Sequence, residues 1–225
     1  MTPNNYHIAR ERMVKEQLVP NGISDPRVLD VMLKVPRHLF LDSDLGPQAY
    51  SDHSFPIGYS QTMSQPFMVA YLSEQLALTG EEKILEIGTG SGYQAAVLAC
   101  LARHVFTIER IGPLAENARA ALEKLEIENV EMAVGDGSHG WPEKGPFDRI
   151  LTTAAAAEIP HSLLEQLSDG GLFLGPVFNQ AGEQEVVRLT RLGDDFEIER
   201  LRKCTFVPLI RDEDPQTLHN DGTIF

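Results

Sequence analysis

No stretch of this chain approaches the roughly 18 consecutive apolar residues that a helix needs to cross a bilayer, so no transmembrane helix is expected. The opening residues, MTPNNYHIARERMVKEQ, hold no apolar segment suited to a secretory signal. Cysteine is scarce as well. Only Cys100 and Cys204 are present, too few for a disulfide framework and not spaced as metal ligands. Both read as reduced thiols in the core or at an edge, and no metal is expected. Basic residues are outnumbered, with 19 Lys and Arg against 33 Asp and Glu, a net charge of −14. A field of that sign repels nucleic acid backbones, whose capture normally requires a basic face. These shortages together predict a cytoplasmic protein that meets neither membrane nor nucleic acid. Repeats and low-complexity tracts are absent too.

What is present is ordinary globular composition, 42% hydrophobic and 23% charged over 225 residues, enough for one large domain or a domain with a subdomain. Residues 6–18 read as a helix. PNGISD then supplies a turn and a cap, with Ser24 or Asp25 ahead of Pro26 at the first helical position. The second helix, Pro26 to Lys34, stops before Pro36. From Leu41 to Gln65 the chain reads as irregular, a long loop of the kind that often carries function. Pro66 opens a helix with Met68, Val69, Leu72 and Leu76 on one face.

From Lys83 onward short apolar runs alternate with helices, the signature of a parallel α/β sheet. The predicted strands are Lys83–Ile87, His104–Glu109, Val130–Val134, Phe147–Thr152 and Leu172–Pro176, with helices near Tyr93–Ala102, Pro113–Leu125 and Pro160–Leu167. Gln184–Leu192 and Phe196–Phe206 alternate like an antiparallel pair around Gly193-Asp194-Asp195. The expected organisation is a helical subdomain over residues 1–80, a sheet domain over 81–210 and a flexible tail over 211–225.

Three features fall at the carboxyl ends of successive predicted strands, where open α/β sheets bind ligands. Gly88, Gly90 and Gly92 lead from the first strand into a helix, letting backbone approach a ligand closely. Their spacing is not the GxGxxG of dinucleotide folds, because Tyr93 stands where the third glycine belongs. Glu109 ends the second strand, 21 residues after Gly88, where an acid can accept hydrogen bonds from ribose hydroxyls. Asp136, between Gly135 and Gly137 after the third strand, can reach an adenine amino group.

Six blocks then resemble the protein-L-isoaspartate (D-aspartate) O-methyltransferase family: VPRHLF at 35–40, PIGYSQTMSQP at 56–66, LEIGTGSGYQ at 85–94, GDGSHGW at 135–141, FDRILTTAAA at 147–156 and VPLI at 207–210. The resemblance covers about residues 5–210. It implies an α/β fold, a doubly wound Rossmann-like class I S-adenosylmethionine-dependent methyltransferase sheet with an N-terminal helical subdomain. It also implies S-adenosyl-L-methionine as cofactor, with Thr62, Ser64, Glu86, Gly88, Gly90, Glu109, Asp136 and Gly137 around it. Ser64 is the implied catalytic residue, and Val207, Pro208 and Leu209 are implied to line the groove for a substrate peptide. The implied partners are peptides and proteins containing isoaspartyl residues, met by a monomer. Ser60, Met63 and Arg211 depart from the family's usual Gly, Ile and Gly.

The implied reaction methylates the free α-carboxylate of an L-isoaspartyl residue. A carboxylate, with an ordinary pKa of about 4, is ionised near neutral pH and needs no strong general base. Alignment of the reacting atoms should supply most of the catalysis. Ser64 is expected to hydrogen-bond one carboxylate oxygen, and it also stands where it could cap the Pro66 helix. His53 and His139 read as surface or hydrogen-bonding residues, and Trp141 as packing. The residues Ala154–Ala157 read as small where helix and sheet approach. Two other readings stay open: a methyltransferase of the same fold with another carboxylate acceptor, such as aspartate in a peptide natural product, and a nicotinamide-dependent oxidoreductase.

Overall fold

In the computed structural model, which describes residues 3–212, the N-terminal third forms a helical layer over one face of a sheet. Helix α1 (Pro3–Arg12) continues into π-helical Met13–Leu18, and α2 spans Pro26–Lys34. Asp25 is the cap of α2, its carboxylate accepting from Arg27 N at 2.8 Å, and Pro26 supplies the first turn. Val35 is extended ahead of Pro36 and ends the helix, as a residue before proline should.

The stretch from Leu41 to Gln65 is not irregular throughout, which corrects the sequence expectation. It contains a 3-10 turn at Gly46–Gln48 and an antiparallel hairpin, β1 (Phe55–Gly58) and β2 (Gln61–Met63). Tyr59 and Ser60 form the two-residue connection, and both have positive φ, 51° and 56°. A type I′ hairpin turn needs that pair of angles, and Asn-Gly is its usual signal. Tyr-Ser gives no such signal, so the hairpin is invisible in the sequence. Helix α3 (Pro66–Gln75) follows, with Gln65 rather than Ser64 at its N-cap and no side-chain cap bond. Ser64 is therefore not a helix cap.

The large sheet contains β3 (Lys83–Ile87), β4 (His104–Glu109), β5 (Val130–Val134), β6 (Phe147–Thr152), β7 (Leu167–Phe178), β8 (Gln184–Leu192) and β9 (Asp195–Cys204). Their spatial order is β5-β4-β3-β6-β7-β8-β9. The first four pairings are parallel, and β7-β8 and β8-β9 are antiparallel. Between strands lie α4 (Tyr93–Ala99), α5 (Gly112–Lys124) and α6 (His161–Glu165). Strand β7 is longer than Leu172–Pro176 because a register shift between Phe147 and Arg149 absorbs the turn-like Ser168-Asp169-Gly170-Gly171.

Both faces of the parallel strands are covered, so they read as near-continuous apolar runs. Residues of β3 alternate between two clusters. Ile84 joins Met13, Leu18, Met32 and Leu72 of the N-terminal layer, whereas Leu85 and Ile87 join Phe106, Ile108 and Ile150 on the opposite face. The strand order reverses between β3 and β6, a switch point at whose carboxyl ends an open sheet leaves a crevice. Pro208 makes an isolated parallel bridge with Ala155, and the next residue, Ala156, bridges Val177 of β7. Within the Ala154–Ala157 run, Ala155 and Ala156 thus meet neighbouring extended backbone.

Left-handed backbone at Ser60 costs a non-glycine residue about 1–2 kcal/mol, and a β-branched residue more. Ser60→Gly should hold or raise the unfolding free energy in denaturant titration, while Ser60→Val should lower it by about 1 kcal/mol or more.

Candidate active site

A cleft enclosing about 910 Å³, its open mouth included, lies at the carboxyl ends of β3 and β4. Gly88 and Gly90 line its floor, Glu109 one wall, and Gly137 the far end. Thr62 and Ser64 come to it from the hairpin, and Val207, Pro208 and Leu209 close the opposite rim. Residues separated by more than a hundred positions thus share one concavity.

The floor is shaped by close approach. Gly88 has φ 95°, and a Cβ there would stand 2.5 Å from Thr153 Oγ1. That hydroxyl donates to the Gly88 carbonyl at 2.6 Å, while Thr153 N donates to Ile87 O at 2.9 Å. A Cβ on Gly137 would lie 2.4 Å from Ile87 Cγ2. The glycines therefore leave backbone, and not side chains, facing the cleft. Thr153 was not singled out from sequence, although it sits inside the FDRILTTAAA block.

Glu109 fixes the loop to the neighbouring strand. Its Oε2 accepts from Gly90 N at 2.7 Å and its Oε1 from Ile111 N at 2.9 Å. A carboxylate has about four acceptor directions, so two amides leave capacity for hydroxyl groups of a ligand.

Glu86 and Asp136 belong to the site's support and do not line the cleft. Glu86 has no solvent exposure and pairs in register with Thr107 on β4. Thr107 Oγ1 donates to Glu86 Oε2 at 2.6 Å, and Thr107 and Thr89 share a hydrogen bond of 2.6 Å. The chain of groups reaches the glycine loop through Thr89. Burial pushes the Glu86 carboxyl up to about 8, the nearby Glu109 adds to the rise, and the Thr107 bond opposes it. Glu86 is thus mainly a neutral acid at pH 7.

Asp136 caps the short turn Gly137–His139, accepting from Ser138 N at 2.8 Å. Its other oxygen accepts from Asp212 N at 2.7 Å. Burial acts to raise its pKa, but the two backbone donors outweigh burial and hold it below the ordinary aspartate value. Asp212 also pairs with Arg110, and Arg211 Nη2 donates to Glu158 O at 3.3 Å. The first two residues of the expected flexible tail are therefore anchored beside the cleft; residues 213–225 lie outside the described residues.

Behind the hairpin sits Arg37, buried completely and also not singled out from sequence. Its Nε donates to Ala49 O at 2.8 Å and its Nη2 to Ser64 O at 2.7 Å. Desolvation lowers its pKa to about 10, which leaves it charged at neutral pH. Ser64 Oγ itself makes no hydrogen bond to the described residues and remains available to a ligand. His53 is exposed, and His139 is exposed with Nε2 3.8 Å from Asp136. Trp141 packs edge-on against Phe106, ring centroids 5.7 Å apart.

Comparison with known proteins gives a consistent result. The family model for protein-L-isoaspartate(D-aspartate) O-methyltransferase matches residues 9–214. The chain is 54% identical over 208 residues to protein-L-isoaspartate O-methyltransferase 2 of Geotalea uraniireducens, covering 92% of this chain and 95% of that protein. It is 51% identical over 207 residues to the Geobacter metallireducens protein-L-isoaspartate O-methyltransferase, with the same coverages. A solved protein-L-isoaspartate O-methyltransferase superposes with TM-score 0.79 at 28% identity, over 88% of this chain and 65% of that longer one. A Plasmodium falciparum structure described as a β-aspartate methyltransferase in complex with S-adenosyl-L-homocysteine shares the fold, with TM-score 0.78 at 23% identity over 89% of this chain and 98% of that one.

Between pH 4.5 and 8 folded Glu86 binds a proton that the unfolded chain has released. Unfolding free energy therefore falls with rising pH across that window on account of this group. Glu86→Gln removes the penalty, so its stability relative to the unaltered protein should grow from pH 4.5 to pH 8 in denaturant titrations. A constant difference across the window would show that Glu86 is not held neutral.

Proposed function

The chain belongs to the protein-L-isoaspartate(D-aspartate) O-methyltransferase family and is a methyltransferase of isoaspartyl residues, and we propose that the cleft between Ser64 and the glycine loop performs the transfer. The observation that carries this reading is one concavity lined by both a backbone cradle and a free serine hydroxyl.

The cradle fits S-adenosyl-L-methionine. Gly88 and Gly137 leave space that a Cβ would fill, and Glu109 keeps acceptor capacity for the ribose hydroxyls. Asp136 holds Gly137 in place at the adenine end through its cap on Ser138. When bound, the cofactor supplies a methyl group on a positively charged sulfur. The chain's own task is then to hold an isoaspartyl α-carboxylate in line with it, because an ionised carboxylate is already a nucleophile. Ser64 Oγ donates to one carboxylate oxygen and aims the other. In the transfer the oxygen–methyl bond forms as the sulfur–methyl bond breaks, and no proton needs to move. The backbone nitrogen of the following residue then attacks the ester carbonyl, the methoxy group leaves as methanol with that nitrogen's proton, and the resulting succinimide hydrolyses partly to aspartate.

The rim at 207–209 suits an extended peptide. Val207 O and Leu209 N are paired with Ala155 at 2.8 Å, so the Pro208 carbonyl is left to the other side. A substrate backbone can add along that edge. Residues 1–80 act as the layer that carries the acceptor loop, and residues 81–210 as the cofactor-holding sheet. No described helix is long and apolar enough to cross a membrane. The net charge of −14 argues for peptide substrates over nucleic acid. The reading takes the protein as a monomer working in the cytoplasm, where its two free cysteines, Cys100 and Cys204, would stay reduced.

Labelled cofactor with paired peptides differing only in Asp or isoAsp tests the reading. Label should enter the isoaspartyl peptide alone; equal labelling of both, or of neither, contradicts it. Ser64→Ala should lower turnover about ten- to a hundredfold, the worth of one hydrogen bond to a charged group, with cofactor affinity little changed.

A further inference from the structure

Arg37 carries a charge that packing does not explain. Its guanidinium is buried completely, its Cζ lies 4.9 Å from the centroid of the Tyr93 ring, and its Nη1 makes no hydrogen bond. No described acid pairs with it; Asp52 attracts it only from beyond ion-pair distance. Two carbonyls and the Tyr93 ring compensate it in part, but burying a cation with no acid paired to it is still costly. The retained charge therefore points to work done on something outside the core.

The route to the cleft is a single peptide unit. Arg37 Nη2 donates to the carbonyl of Ser64, a residue that lines the cleft. A trans peptide directs its C=O and N–H oppositely. The carbonyl of Ser64 is drawn toward the buried guanidinium, so the N–H of Gln65, the residue after cleft-lining Ser64, points away from Arg37. That N–H has no hydrogen-bond partner among the described residues. Positive charge at the carbonyl oxygen polarises the amide and makes its N–H a stronger donor, as bonds in series reinforce one another.

We propose that Ser64 Oγ and Gln65 N–H together bind the acceptor carboxylate, and that Arg37 supplies the positive potential of this pair through the peptide between them. The proposal rests on the methyltransferase reading above and names the positioning residue that reading lacks. A direct ion pair would satisfy the carboxylate and blunt it as a nucleophile. A cation one peptide away attracts the anion while both donors in contact stay neutral. In a chain with net charge −14, it also gives the acceptor end of the cleft a local sign opposite to the whole.

The test compares Arg37→Met, Arg37→Lys and the unaltered enzyme, with S-adenosylhomocysteine affinity by calorimetry as the control for fold and cofactor cradle. Arg37→Met should raise KM for an isoaspartyl peptide roughly tenfold or more, with cofactor affinity unchanged. Arg37→Lys, which keeps the charge, should recover part of that loss. The unaltered enzyme should also prefer the carboxylate peptide to its α-carboxamide analogue as a competing ligand, and Arg37→Met should lose that preference. A merely structural role would reduce the active fraction and leave the preference intact. Should Arg37→Met fail to fold, the unaltered enzyme still decides. A buried charge is screened little, so the carboxylate preference should persist at high salt; its disappearance there overturns the proposal. Unchanged KM and preference in folded Arg37→Met overturn it too, leaving the methyltransferase reading standing. An unaltered enzyme that methylates no isoaspartyl peptide overturns both.

Discussion

Thr153 Oγ1 occupies the space that a side chain on Gly88 would need, 2.5 Å from where its Cβ would sit. The same hydroxyl holds the Gly88 carbonyl at 2.6 Å, so the end of β6 clamps the turn after β3. Glu109 completes the clamp from β4 by taking the Gly90 N–H. With the turn fixed from both neighbouring strands, its backbone stays open to the cleft and the helix α4 starts at a defined angle. The β1–β2 hairpin, through Thr62 and Ser64, and residues 207–209 line the same cleft as this fixed turn. A bulkier residue at Gly88 would displace the reference point from which each of these distances is set.

Electrostatics divides the cleft into two ends. At the donor end a buried, neutral Glu86 and an amide-bound Glu109 sit below and beside the glycine loop. At the acceptor end a buried, charged Arg37 stands behind Ser64. On the proposed function the donor brings a cation to the first end and the acceptor an anion to the second. Arg110 also lines the cleft but is paired with Asp212, and on this reading none of these groups ion-pairs with the acceptor carboxylate. Positioning can then carry the rate, because the nucleophile remains available.

Much of this was legible in the sequence for physical reasons. Parallel strands covered on both faces are written as apolar runs, and the glycine turn, Glu109 and Gly137 fall at their ends, where an open sheet binds ligands. The hairpin at Phe55–Met63 was not legible, because Tyr59 and Ser60 adopt angles that other residues usually announce. Arg37 was hidden because a lone arginine beside a proline reads as a surface charge, and burial is a property of the fold. Glu86 was placed near the cofactor by resemblance, whereas its coupling through Thr107 to Thr89 depends on strand register. The length of β7 was masked by Asp169-Gly170-Gly171, a turn signal that the sheet absorbs as an irregularity.

The central claim is that the cleft selects one carboxylate by geometry, not by acidity, since side-chain carboxylates are ionised as well. A single peptide containing one isoaspartyl, one aspartyl and one glutamyl residue, methylated by this enzyme and sequenced by tandem mass spectrometry, tests it most directly. The account predicts methylation at the isoaspartyl α-carboxylate alone. Methyl groups on the aspartyl or glutamyl side chains would contradict it.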